Sequence, residues 1–312
     1  MSEQKVLARV SDLTVRFGEH VAVAGVSFEV RAGECVALVG ESGSGKSLTA
    51  KALLGLLPAT AQQGGTVYVG GAHTLAPARG AAAWNSVRGN TVALIPQDAL
   101  GSLDPLRRIE LEVGDALRLH RIASGGERRQ RVIAALESAA MPAAESQLRK
   151  RSDELSGGLR QRALIASALI AEPELIVADE PTTALDAGHR GRVLSELRRR
   201  VDAGAGAVLI SHDLASGRDV ADRVLVMRDG RVIEAGSSAS VLGSPAHPFT
   251  QALIAASPVG KRRLPRTGAA MGGASSLSTA ASIAAPASVP VRDAGRTHSR
   301  LDLRSVSASY GA

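Results

Sequence analysis

Cysteine is almost missing from this chain of 312 residues, where Cys35 stands alone. A single thiol excludes an internal disulfide framework, and it excludes an iron–sulfur or zinc site built on this chain's own cysteines. Long apolar runs are missing too. None approaches the ~18 residues of a membrane-spanning helix. The richest stretch, ALIASALIA (163–171), is short and bracketed by Arg162 and Glu172. Residues 1–10 mix charged and apolar side chains without the continuous apolar stretch of a secretory signal, so none is expected. Lysine is scarce: Lys5, Lys46, Lys51, Lys150 and Lys261 are the full set. These absences predict a soluble cytosolic chain, long enough to bury a full core in one large or two ordinary domains.

The formal net charge of +7 is unevenly placed. From residue 260 onward Lys261, Arg262, Arg263, Arg266, Arg292, Arg296, Arg300 and Arg304 face only Asp293 and Asp302. The body is therefore close to neutral. A high pI set by a tail points to a solvated basic linker, and no nucleic-acid partner is expected. Residues 261–299, dominated by Ala, Ser, Gly and Pro, cannot build a core and read as that flexible linker.

Three short apolar runs end in polar residues: CVALVG (35–40), LIVADE (175–180) and AVLISHD (207–213). Continuous rather than alternating apolar residues suit strands covered on both faces, and helical patterns between them imply a parallel α/β sheet. The stretch from about 106 to 153 is rich in Arg, Glu, Leu and Ala, as in GERRQRVIAALESAAM (126–141), and reads as a helical insertion.

GESGSGKS (40–47) fits G-x-x-x-x-G-K-[ST], with a strand in front and an apparent helix, LTAKALLGLL, behind. Glycines let the backbone turn successive N–H groups toward a phosphate, and the helix adds its positive end. Gly40, Glu41, Ser42, Gly43, Ser44, Gly45, Lys46, Ser47 and Leu48 are thus the expected nucleotide-binding residues. Lys46 reaches the β- and γ-phosphates, and Ser47 coordinates Mg²⁺. The plain alternative is a glycine-rich turn with a solvated lysine; a scarce residue in the required place argues against it. LIVADEP puts Asp179 and Glu180 at a strand's carboxyl end, where open α/β sheets bind ligands. Asp179 is expected to hold Mg²⁺ and Glu180 to polarise the attacking water. Alternatively, the two carboxylates cap a helix starting near Thr182. His212 and Gln97 also sit where strands end, each a weak signal alone.

LSGGLRQR (155–162) resembles the signature motif of the ATP-binding-cassette (ABC) ATPases. Phe17, the phosphate loop, Gln97, the signature, Asp179–Glu180, ALD (184–186) and His212 follow one another in that family's order. The resemblance covers about residues 5 to 260. It implies an α/β P-loop NTPase fold: a RecA-like parallel sheet core, an antiparallel β N-terminal part and a helical insertion subdomain, about 104–165, carrying the signature. By the same resemblance Phe17 stacks on adenine, Gln97 touches Mg²⁺ or the attacking water, and His212 contacts the γ-phosphate. Ser156, Gly157, Gly158 and Gln161 close on the ATP of an opposing cassette. Leu159 stands where the family often has Gln or Met, with little consequence expected.

QDALGSLDP (97–105) resembles the QDPxxSLNP segment of oligopeptide and dipeptide importers, and SPAHPFTQALIAASP (244–258) their HPYTxxLLxAxP ending. The resemblance implies an ATPase at the cytoplasmic face of the membrane, docked on two permease subunits and served by an extracytoplasmic solute-binding protein. Nickel or another non-peptide solute stays open as cargo. A soluble DNA-repair or translation cassette is disfavoured by the neutral body, and an exporter by these two segments. RLDLRSVSASYGA (300–312) repeats the apolar pattern that leads to Phe17, with Tyr310 in the aromatic place. It reads as the start of a second cassette, in a chain of 1–260 cassette (importer-type segment 244–260), 261–299 linker and 300–312 second unit.

Overall fold

A computed structural model of the chain describes residues 4–70, 73–74, 81–182, 187–212, 218 and 220–256. The linker read at 261–299, the strand read at 300–312 and the ALD segment at 184–186 lie outside the described residues.

An antiparallel sheet takes β1 (Val6–Phe17) and β2 (His20–Arg31) with two later strands, β4 (Gln62–Val69) and β5 (His73–Thr74). Its order is β2-β1-β4-β5. The second sheet takes β3 (Cys35–Val39), β6 (Val92–Ile95), β7 (Leu175–Asp179), β8 (Gly206–Ser211), β9 (Arg223–Arg228) and β10 (Arg231–Ser237). In the order β10-β9-β3-β8-β7-β6, every neighbouring pair except β9–β10 runs parallel. The three apolar runs read from the sequence are β3, β7 and β8, side by side and buried throughout.

Their continuous apolarity has a simple cause. Successive side chains alternate between faces, and each face meets its own core. Cys35, Ala37, Val39, Ile176, Ala178, Ala207 and Leu209 pack on the helical side. Val36, Leu38, Leu175, Val177, Val208 and Ile210 pack toward the antiparallel sheet, with Val10, Leu13, Val23 and Phe28. Helices therefore rest on a face lined largely by small residues. Cys35 lies wholly inside, and burial beside Asp222 pushes its thiol up to about 12, so it stays an uncharged thiol.

The helix expected to run through LTAKALLGLL is shorter. Helix α1 (Lys46–Leu53) stops because Gly55 turns left-handed at φ +60°, against the Trp84 indole on α2 (Ala81–Val87). Arg88 then takes the freed carbonyls, donating to those of Leu54 and Gly55 at 2.8 Å each while stacking on Trp84 at 5.1 Å. The insertion is helical: α3 (Ala99–Ser102), α4 (Ile109–Val113), α5 (Asp115–Leu119), α6 (Gly125–Ser138) and α7 (Ala144–Gln147) precede α8 (Gly157–Leu169). Helix α8 is the hub, packing on α3, α4, α5, α6 and β6.

After α9 (Ala187–Asp202) and β8, the β9–β10 hairpin turns on Asp229 and Gly230, both with positive φ (49° and 75°). Following α10 (Ser238–Gly243), the His-Pro-Phe-Thr segment opens α11 (Pro248–Ala256). Glu234 of β10 accepts from the amides of Ala246 (2.7 Å) and His247 (3.1 Å), and Arg228 stacks on Phe249 at 4.9 Å. That segment is thus bolted to the hairpin.

A Cβ at Gly55 would sit 2.1 Å from the Trp84 ring on a backbone that L side chains rarely adopt. Gly55→Ala is expected to destabilise the fold by about 2–3 kcal/mol, read as a lower urea midpoint with an unchanged slope.

Candidate active site

Strand β3 delivers the glycine-rich loop, and two carbonyl walls confine it. A Cβ at Gly40 (φ +150°) would meet the Met227 carbonyl oxygen of β9 at 2.1 Å. One at Gly45 (φ +95°) would meet the Ala22 carbonyl oxygen of β2 at 2.7 Å. Only glycine fits either place. Gly43 also has positive φ, but there a Cβ would touch nothing. Glu41, Ser42 and Gly43 form the exposed rim, while Ser44, Gly45 and Lys46 are buried.

The Lys46 ammonium donates to the carbonyls of Gly40 (2.9 Å) and Glu41 (2.6 Å) and to Ser44 Oγ (3.2 Å). Burial lowers its pKa from the ordinary lysine value, and Glu180, Asp179 and Glu41 pull it partly back. The bond from Thr49 N–H to the Gly45 carbonyl (2.9 Å) opens the helical ladder. By helix geometry the amides of Lys46, Ser47 and Leu48 precede that ladder and suit an outside anion. Leu48 offers only its amide, since its side chain packs into the core. Amides, a helix start and a buried ammonium together fit a polyphosphate.

Ser47 Oγ donates to Asp179 Oδ1 at 3.2 Å. Burial raises the Asp179 pKa, the Ser47 hydroxyl lowers it, and Glu180 adds to the rise; the net direction is upward. Hydroxyl and carboxylate are the hard oxygen donors that Mg²⁺ prefers, so this pair fits that ion beside a phosphate.

Glu180 follows β7 with φ +46°, rare for a residue with a side chain, and its N–H is held by the Ile210 carbonyl at 3.0 Å. Its carboxylate accepts from Gln97 Nε2 (2.9 Å, Oε2) and lies 3.0 Å from His212 Nδ1 (Oε1). Gln97, Glu180 and His212 trail β6, β7 and β8, so adjacent parallel strands bring three distant residues to one point. Among the described residues, Pro181 and Thr182 form a turn, and α9 is described from Ala187.

Phe17 ends β1 opposite His20, half-buried against the core. The signature residues separate into two groups. Ser156 caps α8, its Oγ accepting from Leu159 N–H at 3.4 Å, and with Gly157 it is exposed. Gly158 is half-buried. Gln161, expected beside them at the opposing nucleotide, lies inside instead at 1% exposure, donating to the Pro181 carbonyl at 3.0 Å. One helical turn carries it from the open end of α8 to its packed face. The sequence reading missed the β9–β10 hairpin, whose Met227 carbonyl backs the loop. Asp-Gly between apolar runs in VLVMRDGRVIEA is the signal that could have found it.

A nucleotide-hydrolysing P-loop cassette is the class that this arrangement defines. The chain belongs to the ABC transporter family, whose model matches residues 23–183, and is an ABC-type ATPase. It is 43% identical over 263 residues to the peptidoglycan transport ATP-binding protein YejF of Agrobacterium fabrum, covering 82% of this chain and 48% of that one. The oligopeptide transport ATP-binding protein OppD of Salmonella typhimurium is 39% identical over 274 residues, 85% of this chain and 79% of its own. The chain thus spans about half of YejF but most of OppD. Among solved structures, the dimeric ATP-binding cassette MJ0796, bound to ADP and Pi after hydrolysis, superposes with a TM-score of 0.67 at 27% identity. That match covers 74% of this chain and 99% of MJ0796.

Because the folded-state pKa of Asp179 lies above its unfolded value, the ionised carboxylate costs stability at neutral pH. The cost vanishes once pH falls below the unfolded pKa. Asp179→Asn without nucleotide should therefore melt at or above the wild type at pH 7, the difference shrinking on acidification. Mg²⁺–ATP should raise its melting temperature less than it raises that of the wild type.

Proposed function

We propose that this chain is the energy-coupling subunit of an importer for peptides or related small solutes, hydrolysing ATP on behalf of membrane permease subunits supplied by other chains. One observation carries the hydrolytic half: the Glu180 carboxylate between Gln97 and His212, 2.9 and 3.0 Å away. The transport half is supported by relatives named for peptidoglycan, oligopeptide and D,D-dipeptide transport. No helix among the described residues is long and apolar enough to cross a membrane, so on this reading two permease subunits form the passage. The chain works at their cytoplasmic face, and an extracytoplasmic solute-binding protein delivers the cargo.

In this reading Lys46 and the amides of the loop hold the β- and γ-phosphates, and Phe17 stacks on adenine. Ser47, Asp179 and Gln97 hold Mg²⁺, which when bound neutralises charge building on the phosphate oxygens. Glu180 polarises a water toward the γ-phosphorus, and His212 contacts the γ-phosphate. Ser156, Gly157 and Gly158 close on the nucleotide of a second cassette through the exposed N-terminal end of α8. The dimeric form of MJ0796 supports a pair of cassettes. YejF, of which this chain covers 48%, has length enough for a second unit of this size, which supports the tandem arrangement read at 300–312.

Glu180→Gln should slow turnover by about 10²–10⁴ while ATP still binds, and ATP should then hold cassettes together in gel filtration. Retention of wild-type turnover would remove Glu180 from its role. Proteoliposomes containing the cognate permeases and binding protein should take up labelled di- and oligopeptides only with ATP and this chain inside. Uptake of a metal ion instead, with none of peptide, would overturn the cargo.

A further inference from the structure

Glu180 holds an awkward conformation twice over. A positive φ costs a residue with a side chain about 1–3 kcal/mol. The residue before a proline is also driven toward extended geometry, and Pro181 comes next. Such a conformation persists only where its surroundings fix it on both sides. On the amino side the fixing bond is plain: Glu180 N–H donates to the Ile210 carbonyl of β8 at 3.0 Å. On the carboxyl side Pro181 has no N–H to offer, but its carbonyl accepts from Gln161 Nε2 at 3.0 Å.

Gln161 is expensive where it stands. It is 1% exposed, and its Oε1 is buried with no hydrogen-bond partner among the described residues. A buried unpaired carbonyl oxygen costs about 1–3 kcal/mol. An apolar side chain of the same length would avoid that cost on a helix face shared with the buried Leu164, Ile165 and Ala168. Packing alone therefore does not account for a glutamine here.

We propose that Gln161 is a positioning residue for the hydrolytic carboxylate: by holding the Pro181 carbonyl it keeps Glu180 in its left-handed conformation, aimed at Gln97 and His212. Gln161 lies on the helix that Ser156 caps, so the bond ties the exposed signature end of α8 to the backbone directly after Glu180. A shift of α8 along its axis pulls on that backbone. The aim of the carboxylate thereby depends on where the signature helix stands. This inference rests on Glu180 being the hydrolytic carboxylate.

The test is steady-state ATPase kinetics and thermal melting of the full-length chain carrying Gln161→Met or Gln161→Leu, with Glu180→Gln beside them. Gln161→Met removes the donor and the orphaned oxygen together; Gln161→Leu removes both with a shorter side chain. Both are expected to lower kcat about ten- to a hundredfold with KM for ATP within about twofold. The melting temperature of Gln161→Met should equal or exceed the wild type. Wild-type kcat in either folded variant overturns the inference, as does a fall in kcat that only mirrors a raised KM. Failure of both variants to fold also overturns it, because the bond would then belong to the fold. If Glu180→Gln itself turns over normally, the underlying reading fails, and that result is distinguishable from the others.

Discussion

The parallel ladders joining β3 to β8 and β8 to β7 hold the site together, because each of these strands ends in a residue that the chemistry uses. Val39 pairs with Ser211 and Ile210 with Asp179, so the strand ends lie level and the loop, the carboxylates and His212 meet at one edge. A slip by one residue would turn every side chain to the opposite face. Polarity does not forbid the slip, since both faces are apolar. Volume does: the face under the helices carries Ala37, Ala178 and Ala207, while the other carries Leu38, Val177 and Ile210. Exchanging them would overpack one core and leave voids in the other.

The phosphate loop sits where the two sheets touch. Its glycines lie against a carbonyl of β2 on one side and a carbonyl of β9 on the other. The hairpin closes the same seam, since the Ala24 N–H donates to the Gly230 carbonyl at 2.8 Å. A nucleotide bound at this loop gives free energy to the folded state alone, so it stabilises the join of the sheets along with the loop. Glu234 and Arg228 extend the contact from the hairpin to α11. The segment that marks the subfamily in sequence is thus anchored within reach of the nucleotide through a single hairpin.

Much of this was legible beforehand. Uninterrupted apolar runs gave β3, β7 and β8, and the glycine–lysine spacing gave the loop, because both patterns follow from local chemistry. Asp179 and Glu180 could be placed at a strand end and given the metal and the water respectively, but the backbone geometry that parts them could not be read. That division comes from the left-handed turn at Glu180, which no residue preference announces. The end of α1 was misjudged because Leu54, Leu56 and Leu57 continue an apolar run; the stop depends on Trp84, far along the chain. Gln161 was grouped with its sequence neighbours, although a turn of helix separates the exposed end of α8 from its buried side. Proximity in sequence is a poor guide to role along a helix that is open at one end and packed at the other.

Cys35, enclosed in β3 with an uncharged thiol, also bears on how cassettes could be watched at work. Electrophilic reagents attack the thiolate, and this sulfur offers neither charge nor access. The chain therefore comes with its native cysteine chemically silent. A fluorophore or spin label attached through a new cysteine at the exposed Gly157 or Ser42 would report from that point alone, without first removing the native residue. Distances between paired labels could follow two cassettes as they approach and separate.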